Sequence, residues 1–373
     1  MPPTPVPAPT AQNSDELGRV SAAQQQFEAE GVYLNTASLG LPPKATMAAL
    51  AGALEDWRLG RASPPDYDLP LSTSRQAYAR LVGVDPGSVA VGSQVSVFAG
   101  LVAAALPDKS QVLTARNEFT SIVFPFMAHN GRGVRVREVP LEQLADAVTT
   151  GTRLVAVSAV QSADGRVADL DALVEACAAT GTQVLLDTTQ AVGWLPIDAG
   201  RFAYTTGGGY KWLLAPRGTA FFTVAADLAE DLVPHNAGWY AGEDPWTSIY
   251  GGPLRLAADA RQFDVSPVWH AWVGQAPALE LLAAVGASAL HQHALHLANR
   301  FLAGVGLAPG NSAIVSLEGD AQASKRLASA QVATSLRSGR LRLAFHINNT
   351  NDDADRAAQA LRGHVSAATG TVG

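Results

Sequence analysis

Cysteine is almost absent from this chain of 373 residues, which has only Cys177, and a single cysteine excludes an intrachain disulfide framework. No segment concentrates lysine and arginine, and the net charge is −7, so neither nucleic acid nor an anionic membrane is expected as a partner. No apolar run reaches transmembrane length, and the proline-rich N-terminus lacks the apolar core of a signal peptide. We therefore expect a cytoplasmic protein, and no metal site is predicted.

Short apolar segments alternate with helical segments between residues 88 and 224. Apolar strands separated by helices are typical of a largely parallel sheet that is buried on both faces. We therefore expect an α/β protein in which helices cover both faces of a seven-stranded sheet. The candidate strands are 88–91, 111–114, 134–139, 153–160, 183–187, 202–206 and 218–224.

The two ends of the chain predict further units. Residues 1–12 are rich in proline and are expected to form a disordered arm. We expect a large domain over 13–260, whose N-terminal segment to about residue 45 packs on a small α+β C-terminal domain over 261–373. Among the predicted helical segments are 93–105, 141–148 and 274–301.

The sequence around Lys211 differs from that around the other three lysines, which lie among polar residues. Three glycines and Tyr210 precede Lys211, and Trp212 follows it. Glycines let a backbone approach a bulky ligand, and an amine in apolar surroundings loses its proton more readily. A deprotonated lysine is the nucleophile that imine chemistry requires. Taken alone, this pattern also fits a glycine-rich hairpin with an incidental lysine.

Two features upstream of Lys211 suggest a bound, phosphorylated cofactor. Asp187 ends an apolar strand, and ligands lie at the carboxyl ends of parallel strands. A carboxylate suits the pyridine nitrogen of pyridoxal phosphate (PLP), although Asp is also a common helix N-cap. Gly92, Ser93 and Gln94 stand between a strand and a helix of small residues, where free N–H groups suit a phosphate.

These elements, in this order, resemble the class V aminotransferase family of fold-type I PLP enzymes, which includes cysteine desulfurases, kynureninase and isopenicillin N epimerase-like proteins. The resemblance extends from about residue 32 to 361 and is most specific at 187–190 and 209–218. Segments 33–38 and 342–349 are similar to the start and the C-terminal signature of the family. The resemblance implies PLP as the cofactor and a homodimer with shared active sites.

The resemblance also implies a role for each matching residue. Lys211 would hold the cofactor as a Schiff base, and Asp187 would pair with its pyridine nitrogen. Arg342 would bind the carboxylate of the substrate, assisted by Asn35 and Ser38. The other implied cofactor contacts are Gly92, Ser93 and Gln94 in the phosphate turn, Phe119 on the ring, Ser162 and Gln190 near the ring oxygen, Gly208 and Tyr210 beside the phosphate, and Ser266, Tyr250 or Trp269 reaching the phosphate of the other subunit.

The sequence departs from the family at positions that affect the chemistry. Desulfurases usually stack a histidine on the ring, whereas Phe119 and Thr120 occupy that region here. Ala159 replaces a frequent histidine. Cys177 lies in a predicted apolar helix, where it is expected to pack in the core. Persulfide chemistry through a cysteine is therefore not expected.

The sequence thus predicts a PLP-dependent enzyme that acts on an amino acid through Lys211, and the family label favours an aminotransferase. A C–S or β-lyase and an amino-acid epimerase stay open as alternatives, as does a non-catalytic PLP-binding relative. The last alternative would be expected to lack Lys211, Asp187 or Arg342, and all three are present. A nucleotide-binding protein is not expected, because neither a P-loop nor a GxGxxG turn occurs.

Overall fold

The computed structural model describes residues 11–367. Residues 1–10 of the predicted disordered arm lie outside the described residues. The helices are α1 (Ala11–Gln24), α2 (Lys44–Arg58), α3 (Asp68–Val82), α4 (Val95–Ala105), α5 (Thr120–Met127), α6 (Leu170–Thr180), α7 (Trp269–Val285), α8 (Ala287–Gly304), α9 (Ala323–Ser329) and α10 (Asn351–Leu361). The strands are β1 (Val32–Tyr33), β2 (Val89–Gly92), β3 (Gln111–Ala115), β4 (Arg135–Val139), β5 (Thr152–Ser158), β6 (Gln183–Asp187), β7 (Tyr204–Gly208), β8 (Ala220–Val224), β9 (Ile314–Gly319), β10 (Val332–Ala333), β11 (Ser335–Arg337), β12 (Arg340–Ala344) and β13 (Val365–Ala367).

A seven-stranded sheet forms the larger core, in the order β2-β8-β7-β6-β5-β3-β4. Strand β8 runs antiparallel to both of its neighbours, and the other six strands are mutually parallel. The prediction of a mostly parallel seven-stranded sheet is confirmed. Because β8 is reversed, its first residue lies at the same edge of the sheet as the last residues of the parallel strands.

Apolar side chains leave this sheet on both faces. Leu154 and Ala156 of β5 pack into one core cluster, whereas Val155 and Val157 pack into the other. Successive side chains of a strand point to opposite faces, so a strand covered on both sides must be apolar at every position. This is why the strands appear in the sequence as continuous apolar runs.

A second, four-stranded sheet has the order β11-β12-β9-β13 and is antiparallel. Side chains of α8, α9 and α10 share a separate apolar cluster with it. The N-terminal segment joins this part of the molecule, because β1 pairs in parallel with β10 and Asn35 bridges to Ala344. The predicted domain boundaries stay a prediction.

Two local predictions differ from the structure, and one helix of the structure was not predicted. The helix predicted over 141–148 is a single 3₁₀ turn, Leu141–Gln143, followed by further turns. The stretch 274–301 belongs to two helices, which are bent by 85° where Gly286 adopts a φ of 89°. Helix α5 was not predicted, because Pro125 lies inside it. Among residues 11–367, no single helix has the length and apolar character to cross a membrane; only the bent pair α7–α8 meets that test jointly.

Candidate active site

Six parallel strands end at one edge of the large sheet, and residues at or after the ends of five of them line a pocket. Asp187 is the last residue of β6, and Gly208 is the last of β7. Phe119 lies between β3 and α5, and Ser162 lies after β5. Parallel strands bring the ends of distant sequence segments together at one edge, which is where ligands bind in such sheets.

Lys211 lies in the loop between β7 and β8 and is 6% exposed. Its Nζ atom lies 5.4 Å from the centroid of the Phe119 ring and 5.6 Å from that of the Tyr210 ring. No salt bridge to Lys211 occurs in the described part of the chain. Burial is the main cause that lowers the pKa of Lys211 to about 8, opposed by the nearby charge of Asp187. The amine is therefore much closer to its reactive, neutral form than an exposed lysine.

Gly209, two residues before Lys211, is required by close packing. A Cβ atom at Gly209 would lie 2.0 Å from the Gln275 Oε1 atom and 2.1 Å from the Thr219 Oγ1 atom. The Gly209 N–H group donates to the Thr219 carbonyl oxygen at 2.9 Å, which closes the loop that carries Lys211. The glycine-rich run is thus a hairpin, as the sequence allowed, and this hairpin directs the lysine into the pocket.

Asp187 is buried and does not cap a helix. Its Oδ1 atom accepts a hydrogen bond from the Thr189 N–H group at 2.8 Å. Burial is the main cause that raises the pKa of Asp187 to about 6; the nearby Glu118 also raises it, while the bonds from Thr189 and the charge of Lys211 lower it. A carboxyl group with a pKa in this range can share a proton with the pyridine nitrogen of a bound ligand.

Glu118 is a buried carboxylate that the sequence reasoning missed. It accepts hydrogen bonds from the Ser158 N–H at 2.9 Å, the Ser158 hydroxyl at 2.7 Å and the Gln161 amide at 2.9 Å. It also accepts from the N–H of Phe119 at 2.7 Å. Glu118 therefore joins the loop after β3 to the end of β5 and fixes the backbone of Phe119 at the pocket. The only sequence signal was its position one residue before Phe119.

Gln190 and Ser162 lie together on one side of the pocket. The Gln190 Nε2 atom donates to the Ser162 Oγ atom and to the Ala37 carbonyl oxygen, both at 3.0 Å. Its Oε1 atom accepts from the Trp212 indole N–H at 2.8 Å. Both hydrogens of the amide are engaged by protein atoms, so the Ser162 hydroxyl is the freer group for a ring oxygen.

The predicted phosphate turn lies at the other end of the pocket. Ser93 and Gln94 line it, and Gln94 is the N-cap of α4 without a side-chain capping bond, which leaves the first N–H groups of the helix for a ligand. Gly92 ends β2 and does not line the pocket. Arg217, which the sequence reasoning missed, lies over the Tyr210 ring at 5.1 Å and brings a positive charge to this region.

Arg342 is 1% exposed, yet it has no carboxylate partner in residues 11–367. Its guanidinium donates to the Ser38 Oγ atom at 2.8 Å and to both the carbonyl and the hydroxyl oxygen of Ser162. Burial, together with the charge of Arg337, lowers the pKa of Arg342 to about 10. A buried cation without a counter-charge is costly, and a bound anion would relieve that cost.

Arg342 and Ser38 lie beside the pocket, next to Ser162, and are not among its lining residues; the remaining candidates also lie outside it. Ser266 and Tyr250 are exposed on the surface, and their predicted contact with another subunit stays a prediction. Trp269 stacks on Tyr67 with ring centroids 4.9 Å apart, within the same chain. Asn35 bridges to β12 and does not line the pocket. Cys177 is buried in α6, as predicted, and burial raises the pKa of its thiol to about 11.

The space within the pocket amounts to about 610 Å³ when the part that is open to solvent is included. Its chemistry fits PLP: a buried amine for the aldehyde, a buried carboxylate for the pyridine nitrogen, and open N–H groups with an arginine for the phosphate. Its lining residues are Ser93, Gln94, Val95, Ser96, Phe119, Ser121, Ser158, Ser162, Asp187, Thr189, Gln190, Gly208, Tyr210, Lys211, Arg217 and Thr219.

Comparisons with known proteins agree with this assignment. The chain is 28% identical over 310 residues to YcbU of Bacillus subtilis, an uncharacterized aminotransferase, which covers 77% of this chain and 82% of the relative. It is 27% identical over 354 residues to the isopenicillin N epimerase of Amycolatopsis lactamdurans, covering 81% and 88%. The solved structure of a C-DES mutant with glycine covalently linked to its PLP cofactor has a TM-score of 0.81 at 20% identity, over 91% of this chain and 99% of that one, and so shares the fold.

The fold and the pocket therefore define a fold-type I, PLP-dependent enzyme. The family model of Aminotransferase class-V matches residues 90–325, and the chain belongs to that family. Both predictions, of the family and of the cofactor, are confirmed. The roles of the individual site residues stay predictions.

Proposed function

We propose that this chain is an aminotransferase that acts on an amino acid through Lys211. The observation that carries the proposal is the buried amine of Lys211, which has no salt bridge among the described residues and faces a pocket that also contains the buried Asp187. The assignment to the PLP-dependent enzymes does not depend on the choice of an aminotransferase, because lyases and epimerases use the same lysine and acid.

Each residue supplies one part of the chemistry. PLP, when bound, supplies an electron sink for the electrons released at the substrate Cα. Asp187 keeps a proton on the ring nitrogen, and Arg342 orients the substrate by its carboxylate. The Lys211 amine would accept or donate a proton at the Cα atom of the substrate. Phe119, whose ring lies 5.4 Å from the Lys211 Nζ atom, would contact the cofactor ring.

Persulfide chemistry of the cysteine desulfurase type receives no support from Cys177. Its thiol is buried in α6, it does not line the pocket, and burial raises its pKa to about 11. A thiol in this state is protonated at neutral pH and is a poor nucleophile. Elimination and epimerisation, which need no cysteine, stay as outcomes that the test distinguishes.

The test follows the visible spectrum of the protein with added PLP, before and after borohydride, and then assays a panel of amino acids with a 2-oxo acid acceptor. We expect a reducible covalent linkage that maps to Lys211, and transfer of the amino group to the acceptor. Lys211→Ala should abolish the linkage, whereas Lys325→Ala, at an exposed position, should retain it. A reducible linkage in Lys211→Ala would refute the role of this lysine. Release of ammonia or inversion at Cα without transfer would replace aminotransferase by lyase or epimerase.

We also propose that the chain forms a homodimer. Large apolar side chains are exposed on neighbouring elements, with Trp57 at 65%, Leu69 at 72% and Tyr250 at 87%. The segment of Tyr250 adjoins the start of α3, because the Trp246 indole donates to Asp68 at 2.6 Å. Exposed aromatic groups of this kind are enriched at protein interfaces. Light scattering should give twice the mass of the chain, and Trp57→Glu should reduce it to one; a monomeric parent protein would exclude the proposal.

A further inference from the structure

Two arginine side chains converge on one hydroxyl group beside the pocket. The Arg342 Nη2 atom donates to the Ser38 Oγ atom at 2.8 Å, and the Arg337 Nη2 atom donates to the same oxygen at 3.0 Å. Two guanidinium groups that share one acceptor lie within a few ångströms of each other. Their mutual repulsion is consistent with the contribution of Arg337 to the lowered pKa of Arg342.

Neither arginine is neutralised by the described part of the chain. Residues 11–367 contain no salt bridge to Arg337 or Arg342, although nine of the other arginines are paired with an acid. The charges of Arg337 and Arg342 also lower the pKa of Lys211. The region between these side chains and Lys211 is therefore positive and attracts anions.

The two arginines differ in how deeply they are buried. Arg342 is buried, and its position suits the α-carboxylate of a substrate held near Lys211. Arg337 lies at the exposed end of the β11–β12 hairpin, where it pairs with Arg340 across a turn through Ser338 and Gly339. It therefore lies nearer to the solvent than Arg342 does.

We propose that Arg337 binds a second acidic group on the side chain of the substrate. The enzyme then prefers amino acids with two carboxylates, or their 2-oxo acid counterparts, over neutral amino acids of the same size. Ser38 holds the two guanidinium groups at a fixed separation, so that each faces one end of a dianionic substrate. This inference rests on the proposed action on an amino acid, and it adds the class of substrate.

The test compares pairs of equal size that differ in charge: glutamate with glutamine, and aspartate with asparagine. We expect the parent protein to favour the acidic member of at least one pair. Arg337→Gln should lower kcat/KM for the acid roughly tenfold, mainly through KM, because one charge-assisted hydrogen bond is lost. The neutral member should change little, and Arg337→Lys should recover part of the loss. Arg356→Gln, at an exposed arginine of α10, is the matched control and should change neither.

Three results would overturn the inference. The first is an equal loss for acidic and neutral substrates in Arg337→Gln, which would mean that Arg337 shares the α-carboxylate with Arg342. The second is no effect of Arg337→Gln on any substrate that the parent protein uses. The third is a parent protein that prefers neutral substrates. In each case turnover of amino acids would persist, so the proposed function would stand; loss of the lysine linkage or of all turnover would instead refute that function.

Discussion

The ion pair between Arg75 and Asp264 offers a sharp test of how the cofactor pocket is held. The two groups are nearly inaccessible, with side-chain exposures of 10% and 2%, and the Arg75 Nη2 atom lies 2.6 Å from the Asp264 Oδ2 atom. The Asp264 Oδ1 atom accepts a second bond from Arg75 at 3.2 Å and one from the Val91 N–H group at 2.8 Å. Val91 comes directly before the predicted phosphate turn, Gly92–Gln94.

Breaking this pair from either side should be costly. Asp264→Asn or Arg75→Met leaves one buried charge without its partner, and such a loss destabilises a protein by roughly 3–5 kcal/mol. The double variant leaves no isolated charge, so its cost should fall well below the sum of the two single costs. Asp108→Asn breaks an exposed pair with Arg132, at exposures of 70% and 34%, and should cost less than about 1 kcal/mol.

The assay is urea unfolding of the PLP-free protein followed by circular dichroism, with refolding to establish reversibility, and a PLP titration of each variant. We expect weaker PLP binding in both single variants, because the strand that ends in the phosphate turn loses its anchor. Strictly additive single costs would refute the reasoning, as they would show that the two charges do not interact. Undiminished PLP affinity in a folded single variant would show that the turn does not depend on this pair.

Three further predictions follow from the site. Glu118→Gln places an amide nitrogen among four hydrogen-bond donors, so PLP should bind at least about tenfold more weakly; an unchanged dissociation constant in a spectral titration would contradict this role. Because burial lowers the pKa of Lys211 from 10.5 to about 8, the rate of covalent PLP capture by the PLP-free protein should rise with pH to a plateau, with a midpoint near 8 rather than 10.5. The unfolded chain holds this proton more tightly, so the free energy of unfolding should also rise with pH between those two values. Gly209→Ala should lower the melting temperature because its Cβ meets Gln275 and Thr219, whereas Gly100→Ala, in open space within α4, should not; equal melting temperatures would contradict the packing argument.

Much of the fold could be predicted because its signals are local. A strand buried on both faces must be apolar at every position, so the strands of the large sheet were visible as short apolar runs. The errors occurred where tertiary packing overrides local preference. Pro125 is tolerated in α5, and Gly286 breaks the stretch 274–301 by a bend of 85°.

The candidate site was also predicted where its residues occupy short motifs. Asp187 and Gln190 are close in the chain, as are Gly208, Tyr210 and Lys211, and all of them line one pocket. Glu118 was missed because nothing in its immediate sequence marks a buried carboxylate, and Arg217, although it lies in the family-like segment 209–218, was given no role because its position over the Tyr210 ring is a tertiary feature. Their importance arises from partners distant in the chain, such as Ser158 and Gln161 for Glu118.

The sequence by itself determined which chemical groups this protein possesses: one lysine in glycine-rich, aromatic surroundings, an acid at a strand end, and a family-like arginine near the C-terminus. Only the tertiary structure decided the burial, the pKa and the charged neighbours of these groups. Burial brings the pKa of Lys211 to about 8 and that of Asp187 to about 6, and it places Arg342 beside Arg337 on the shared hydroxyl of Ser38. The physical reason is that desolvation and charge proximity depend on what packs around a group, and those neighbours come from every part of the chain.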